Sequence, residues 1–142
     1  MDQNETNFEL IIGKDKQIKV LYDLLKNRNY SISHKILPSY KTHEKFVLDN
    51  PYRCWYLVSF KKNYIGSFYL KKDNSVGINI NLQKKQILKS ILYFLKNNYS
   101  PNKVLPSLVP PYFYINISSK NTDLQSFIEK LGGDLLQISY KL

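Results

Sequence analysis

The sequence contains no alanine, a single cysteine and, among its 21 basic residues, two arginines. One cysteine, Cys54, excludes an internal disulfide framework and any metal site built from a cysteine cluster. It lies in the apolar run Cys54-Trp55-Tyr56-Leu57-Val58, which reads as the setting of a buried, inert thiol. The scarcity of arginine bears on the formal charge of +10. Nucleic-acid recognition leans on the planar arginine fork, whereas here 19 lysines are scattered along the chain beside Arg28 and Arg53. Lysine excess, absent alanine and abundant Asn, Ile and Tyr together match the codon usage of an AT-rich genome, so the charge is discounted as a functional signal; a nucleic-acid partner is not expected, and a lysine-rich nucleic-acid binder is kept only as a third alternative. No apolar run approaches the roughly 20 residues of a membrane span, and the polar start MDQNETN lacks the apolar region of a signal peptide. The expectation is a cytoplasmic protein with no membrane partner, folded as one domain over residues 1–142.

What is present is a sequence of well-marked periods. Phe8-Glu9-Leu10-Ile11-Ile12 predicts a first strand closed by Gly13, and Ile18, Leu21, Tyr22, Leu24 and Leu25 mark a helix with Asp15 as N-cap, ending near Asn27 to Asn29. A shorter helix is expected from Ser39 or Tyr40, carrying Phe46 and Val47 inward and stopping before Pro51. Trp55 to Phe60, Tyr64 to Leu70 and Val76 to Ile80 predict an antiparallel meander with turns at Lys61-Lys62-Asn63 and Lys71 to Ser75. From Ile87 the period changes to that of a helix, with Ile87, Leu88, Ile91, Leu92, Phe94 and Leu95 on one side. Tyr99 to Pro111 holds four of the six prolines and reads as an ordered loop. Tyr112 to Ile117 predicts a strand, and Leu124, Phe127, Ile128 and Leu131 predict a helix stopped by Gly132-Gly133. Leu135 to Tyr140 predicts a closing strand.

The stretch from Val76 to Asn97 joins a strand, a basic turn and an amphipathic helix. Free backbone N–H groups at a helix start, with Lys84 and Lys85 beside them, suit an anion such as a pyrophosphate. A plain strand-to-helix connection with solvated lysines accounts for the same residues.

The order β, α, α, β, β, β, α, β, α, β resembles the GNAT acetyltransferase superfamily over nearly the whole chain. The run from Asn121 to Gly133, N-T-D-L-Q-S-F-I-E-K-L-G-G, is similar to the family's Asn, helix and Glu-Lys-Leu-Gly before a final strand, and Ser39 to Trp55 resembles its acceptor-side segment. The resemblance implies an α+β fold, with a mostly antiparallel central sheet flanked by helices on both faces and splayed between strands 4 and 5. It further implies acetyl-CoA as co-substrate and a primary amine as acceptor, on a small molecule such as an amino sugar or on a protein. The pantetheine arm would lie along the backbone of Ile78, Asn79 and Ile80, near Asn121. The pyrophosphate would rest on Gln83, Lys84, Lys85, Gln86, Ile87, Leu88 and Lys89. Two positions depart from the family: the turn lacks the glycines that bring backbone to phosphate, and Ile128 stands where many members carry a proton-donating tyrosine. A GNAT-like module without activity, serving in interaction or structure, is therefore the alternative.

Acetyl transfer to an amine needs a neutral amine, a polarised thioester carbonyl and a proton for the leaving sulfur. The residues on offer are His43, Glu44 and His34 as base, with Tyr69, Tyr112 and Tyr114 as proton donors. His34 and Arg53 lie on the expected acceptor side, where an arginine fork can grip a carboxylate or phosphate. Each has a bland reading: a packing or surface histidine, a core tyrosine, a surface arginine closing a strand. No motif specifies the acceptor or the oligomeric state.

Overall fold

The computed structural model describes residues 5–28, 36–80, 85–103, 105 and 107–142. The elements are β1 (Thr6–Leu10), α1 (Asp15–Lys26), α2 (Tyr40–Leu48), β2 (Cys54–Phe60), β3 (Asn63–Leu70), β4 (Ser75–Ile80), α3 (Lys85–Asn98), β5 (Tyr114–Ile115) and α4 (Thr122–Lys130). They form one five-stranded sheet in the order β1-β2-β3-β4-β5. The first three pairings are antiparallel and β4 pairs with β5 in parallel.

Alternation along β2 shows how the sheet acquires two buried faces. Cys54 and Val58 enter one core with Phe68, Leu70, Val76 and Ile80 of the neighbouring strands, closed by Ile87, Leu88, Ile91 and Leu95 of α3 and Leu124 and Phe127 of α4. Trp55 and Leu57 point the other way, into a smaller core with Ile18 and Leu21 of α1 and Val47 of α2. Helices thus cover both faces, as the α+β expectation has it. Cys54 is buried as expected, and burial pushes its thiol up despite the neighbouring Tyr99 hydroxyl.

Several boundaries differ from the sequence reading. The first strand lies two residues earlier, and Ile11 continues its pairing with a single bond from its amide to the Trp55 carbonyl (2.9 Å). Lys14 takes the N-cap position of α1 in place of Asp15. The groups around this helix start are served by Gln17, whose Oε1 accepts from the amides of Ile12 and Lys14 and whose Nε2 donates to Glu9 Oε2 and the Leu10 carbonyl. Ser39 caps α2 as expected, accepting from the Thr42 amide. The phase of α2, however, turns His43 and Val47 inward and leaves Phe46 44% exposed, edge-on to Tyr52 and Trp55. Leu131, expected on the buried side of α4, caps that helix and is 45% exposed.

Only Tyr114 and Ile115 of the run expected from Tyr112 to Ile117 pair as a strand. The closing strand is absent: residues 134–142 have no regular structure and are exposed, because nothing among the described residues pairs with them. Gly132, at φ +94°, supplies the left-handed turn expected after α4.

Candidate active site

The parallel contact of β4 and β5 is short. Ser75 pairs with Tyr114 and Val76 with Ile115, and among the described residues no strand continues along β4 from Gly77 to Ile80. The two strands therefore open as a wedge toward the start of α3. On its other edge β4 is fully laddered to β3, Tyr69 with Gly77 through Gly66 with Ile80. Backbone groups alternating along the free edge remain available to an extended, amide-bearing ligand.

The closed end of the wedge is held by the turn between β3 and β4. Asn74 is fully buried in the left-handed region at φ +71°. Its Nδ2 donates to the carbonyls of Pro110 (2.8 Å) and Asn102 (3.3 Å), its Oδ1 accepts from the Asn102 amide (2.7 Å), and its carbonyl accepts from the Tyr114 amide (3.2 Å). Beside it, Asp73 accepts from the Ser75 amide and hydroxyl and from the Tyr114 hydroxyl. Burial raises the Asp73 carboxyl, but these hydrogen bonds outweigh it and leave the group below its ordinary value. Burial, together with the Asp73 charge and hydrogen bond, raises Tyr114. Tyr114, expected as a proton donor, is spent on bracing the vertex.

At the start of α3 lies a cavity of about 220 Å³ between α3 and α4, lined by Lys85, Leu88, Asp123, Ser126, Phe127 and Lys130. Of the residues expected to meet a pyrophosphate, Lys85, Gln86 and Lys89 are exposed at the start of α3. Ile87 and Leu88 are 2% and 3% exposed, so their side chains serve the core and only their backbone amides face the expected role. Gln83 and Lys84 lie outside the described residues, as does His34. Asn121 caps α4 through its Oδ1, which accepts from the Leu124 amide (3.3 Å). The cation on the far side of the cavity, Lys130, escaped sequence reasoning because it belongs to a different helix.

On the opposite face of β4 the Tyr69 ring lies directly over Gly77, where any side chain would collide with it. Tyr69 stacks on Tyr52, centroids 4.0 Å apart and 2° from parallel, and Tyr52 meets Trp55 edge-on at 5.0 Å. The indole Nε1 of Trp55 is the one buried side-chain nitrogen or oxygen among the described residues with no hydrogen-bond partner. Arg28 is half-buried and near enough to both phenols to feel them: burial lowers its guanidinium and Tyr69 and Tyr52 partly restore it. Burial also raises Tyr52. Among the described residues the only ion pair joins Lys26 to Asp23, so Arg28 has no carboxylate partner.

Arg53, expected on the acceptor side, does not join these residues. Its Nη1 donates to the Ser100 carbonyl (2.7 Å) and its guanidinium stacks over Tyr99, at the end of α3. Tyr112 joins Ser100 and Tyr99 in lining a shallow hollow there. His43 is also displaced from the expected role. It is 6% exposed in the α1–α2 interface, packed on Tyr22 and Tyr40, with Nε2 3.0 Å from the Ile18 carbonyl. A carbonyl only accepts, so that nitrogen carries hydrogen and is unavailable as a base. The arginine near Tyr69 and Tyr52 is the other one, Arg28. Its rarity in the sequence was the available signal, but it lies just past the end of α1, and no local pattern ties that point to Tyr52 and Tyr69.

No family model and no curated protein matches the chain. Solved structures do. An acetyltransferase from Thermus thermophilus superposes with a TM-score of 0.63 at 11% identity, covering 90% of this chain and 86% of its own. The ribosomal L7/L12 α-N-protein acetyltransferase RimL, solved in complex with coenzyme A, gives 0.61 at 18% identity over 87% and 77%. The Campylobacter jejuni N-acetyltransferase PseH gives 0.58 at 12% over 94% and 91%. The chain has the GNAT fold, with its β4–β5 splay.

Proposed function

We propose that this protein is an acyl-CoA-dependent N-acetyltransferase that transfers an acetyl group to a primary amine of a small molecule, amino sugars included, or of a protein. The observation that carries the reading is the unladdered edge of β4 inside the wedge, followed along the chain by a helix whose start lines a cavity with Lys85 on one helix and Lys130 on the other. An acyl-CoA suits both parts. Its pantetheine arm bears amides that can continue the β4 ladder, and its phosphates suit two ammonium groups, which here stand in for the close backbone approach that glycines would give. When bound, acyl-CoA supplies the activated acyl group, and the protein's residues direct an amine to it.

The acceptor enters across the wall of Tyr52, Tyr69 and Arg28. As the amide forms, the amine gives up a proton and the departing sulfur takes one. Tyr69, set over Gly77 at the middle of β4, is the hydroxyl best placed to give that proton, the role Ile128 cannot fill. Arg28, which has no carboxylate partner among the described residues, favours acceptors that carry a carboxylate or phosphate near the amine. The absence of glycine at the start of α3 favours a second reading, a GNAT-like module without turnover.

Thermal unfolding in the presence of acetyl-CoA, followed by thiol release with amine panels, tests the proposal. A rise in Tm with cofactor and amine-dependent release of free thiol are expected. No rise at saturating acetyl-CoA sinks the proposal, and a rise without thiol release from any amine favours the second reading.

A further inference from the structure

We propose that the donor site holds short straight acyl chains longer than acetyl, propionyl and butyryl, against Ile78, Ile117 and Ile128, and binds them more tightly than acetyl. The inference rests on the acyl-CoA reading and narrows it to the acyl group. In that reading the phosphates meet the start of α3 and Tyr69, over Gly77, serves the leaving sulfur. The pantetheine arm then runs along the free edge of β4 and brings the thioester to Gly77. The acyl chain starts beside the vertex of the wedge, between the two faces of the sheet.

Those faces differ in chemistry. On the side of α1 and α2 stand the phenols of Tyr52 and Tyr69 with Arg28 near them, the groups that meet the amine. On the side of α3 and α4, Val76, Ile78 and Ile80 of β4 share one cluster with Ile115 of β5, Ile117 just beyond it and Ile128 of α4. None of these six carries a polar side-chain atom, so this side suits hydrocarbon and offers nothing to an amine.

The apolar side is also incompletely covered where the strands part. Val76 and Ile80 are 4% and 8% exposed, yet Ile78 between them is only partly buried, although β4 is an interior strand. The splay accounts for it: Val76 still pairs with Ile115, and from Gly77 onward no described strand covers that edge. Ile117 and Ile128 are partly buried as well. Ile128 is held in place by Gly133, where an added Cβ would lie 2.6 Å from its Cγ2. An acetyl methyl covers little of this surface, whereas each further methylene laid on it adds affinity. The chemical step is unchanged: the amine nitrogen bonds to the acyl carbon, the carbon–sulfur bond breaks, the amine loses a proton and the sulfur gains one.

Calorimetric titration of the full chain with acetyl-CoA, propionyl-CoA and butyryl-CoA tests this. Kd should fall roughly fourfold with each added methylene, hence about fifteenfold from acetyl to butyryl, the scale of buried CH₂ groups. Ile128→Tyr, and separately Ile78→Thr, should each cut that ratio to about fourfold or less. Acetyl-CoA binding as tightly as butyryl-CoA, or more tightly, overturns the proposal and leaves the acyl-CoA reading standing. A ratio that survives in both variants overturns it too, since the acyl chain then lies elsewhere. Failure of all three thioesters to bind overturns the acyl-CoA reading itself and this inference with it. Where one variant fails to fold, the other decides together with the series on the unaltered chain.

Discussion

Two side chains separate chemistry from packing in this molecule. Tyr69 presses its ring on Gly77, beside the wedge, while His43 is sealed between α1 and α2 with one nitrogen committed to a backbone carbonyl. Removing only the hydroxyl, Tyr69→Phe, should lower kcat by about two to four powers of ten, the usual range for losing a positioned acid, with acetyl-CoA affinity retained. Steady-state kinetics alongside a cofactor titration would show it, and an unchanged kcat would move the proton donor elsewhere. His43→Gln should instead keep turnover and cost about 1–2 kcal/mol of stability, the scale of a buried hydrogen bond lost with some packing. Urea unfolding of that variant measures the cost, and a collapse of activity in a normally stable His43→Gln protein would restore histidine to the mechanism.

At the scale of elements, the turn between β3 and β4 does more than reverse the chain. Through Asn74 it joins β4 to the Asn102 and Pro110 loop and to the first residue of β5. Asn74→Ala strips the side-chain bonds and places alanine at positive φ, so a loss of about 3 kcal/mol is expected from unsatisfied buried groups and backbone strain. Denaturant titration should register it, and acetyl-CoA binding should fall with it as the vertex loosens. The helix pair supplies a second prediction. Lys85→Ala with Lys130→Ala should weaken acetyl-CoA roughly tenfold, about 1.4 kcal/mol, and flatten the dependence of affinity on salt. Equal affinity and equal salt slope would place the phosphates away from this cavity.

The meander, α1, α3 and α4 were legible in the sequence because each has an unbroken period of two or of three and four. Asn74 was not, since a single polar residue in a turn carries no mark of the 28-residue reach to Asn102. The grouping of Arg28, Tyr52 and Tyr69 was equally hidden: Tyr69 faces Trp55 on one side and Gly77 on the other only because of cross-strand register. The strand expected from Leu135 to Tyr140 has the right pattern, and pattern alone does not supply a pairing edge.

Across the whole molecule, two carboxylates tie stability to acid. The Gln17 amide and the Tyr64 hydroxyl hold Glu9 below its ordinary value against a smaller effect of burial, and Asp73 is likewise low at the wedge vertex. Depressed folded-state values mean that this stability is complete above the unfolded carboxylate range near pH 4 and is lost as pH falls through the folded values below it. Urea midpoints should therefore stay level from neutrality to about pH 5 and then drop. The double variant Glu9→Gln with Asp73→Asn should show a shallower acid limb, and an unaltered limb would assign the pH dependence to other groups.

The two-residue contact of β4 with β5 also has a kinetic meaning. The meander is made of near neighbours, but the bond from Tyr114 to Asp73 spans 41 residues. Closing a loop of that length costs about 3 kcal/mol of chain entropy, repaid by few ladder bonds. The wedge should thus be the last seam of the sheet to close during folding and the first to part in the native state. A ligand lying along β4 would enter through a joint that is already opening and closing, and hydrogen exchange of Tyr114 against Phe68 would record the difference in their lifetimes.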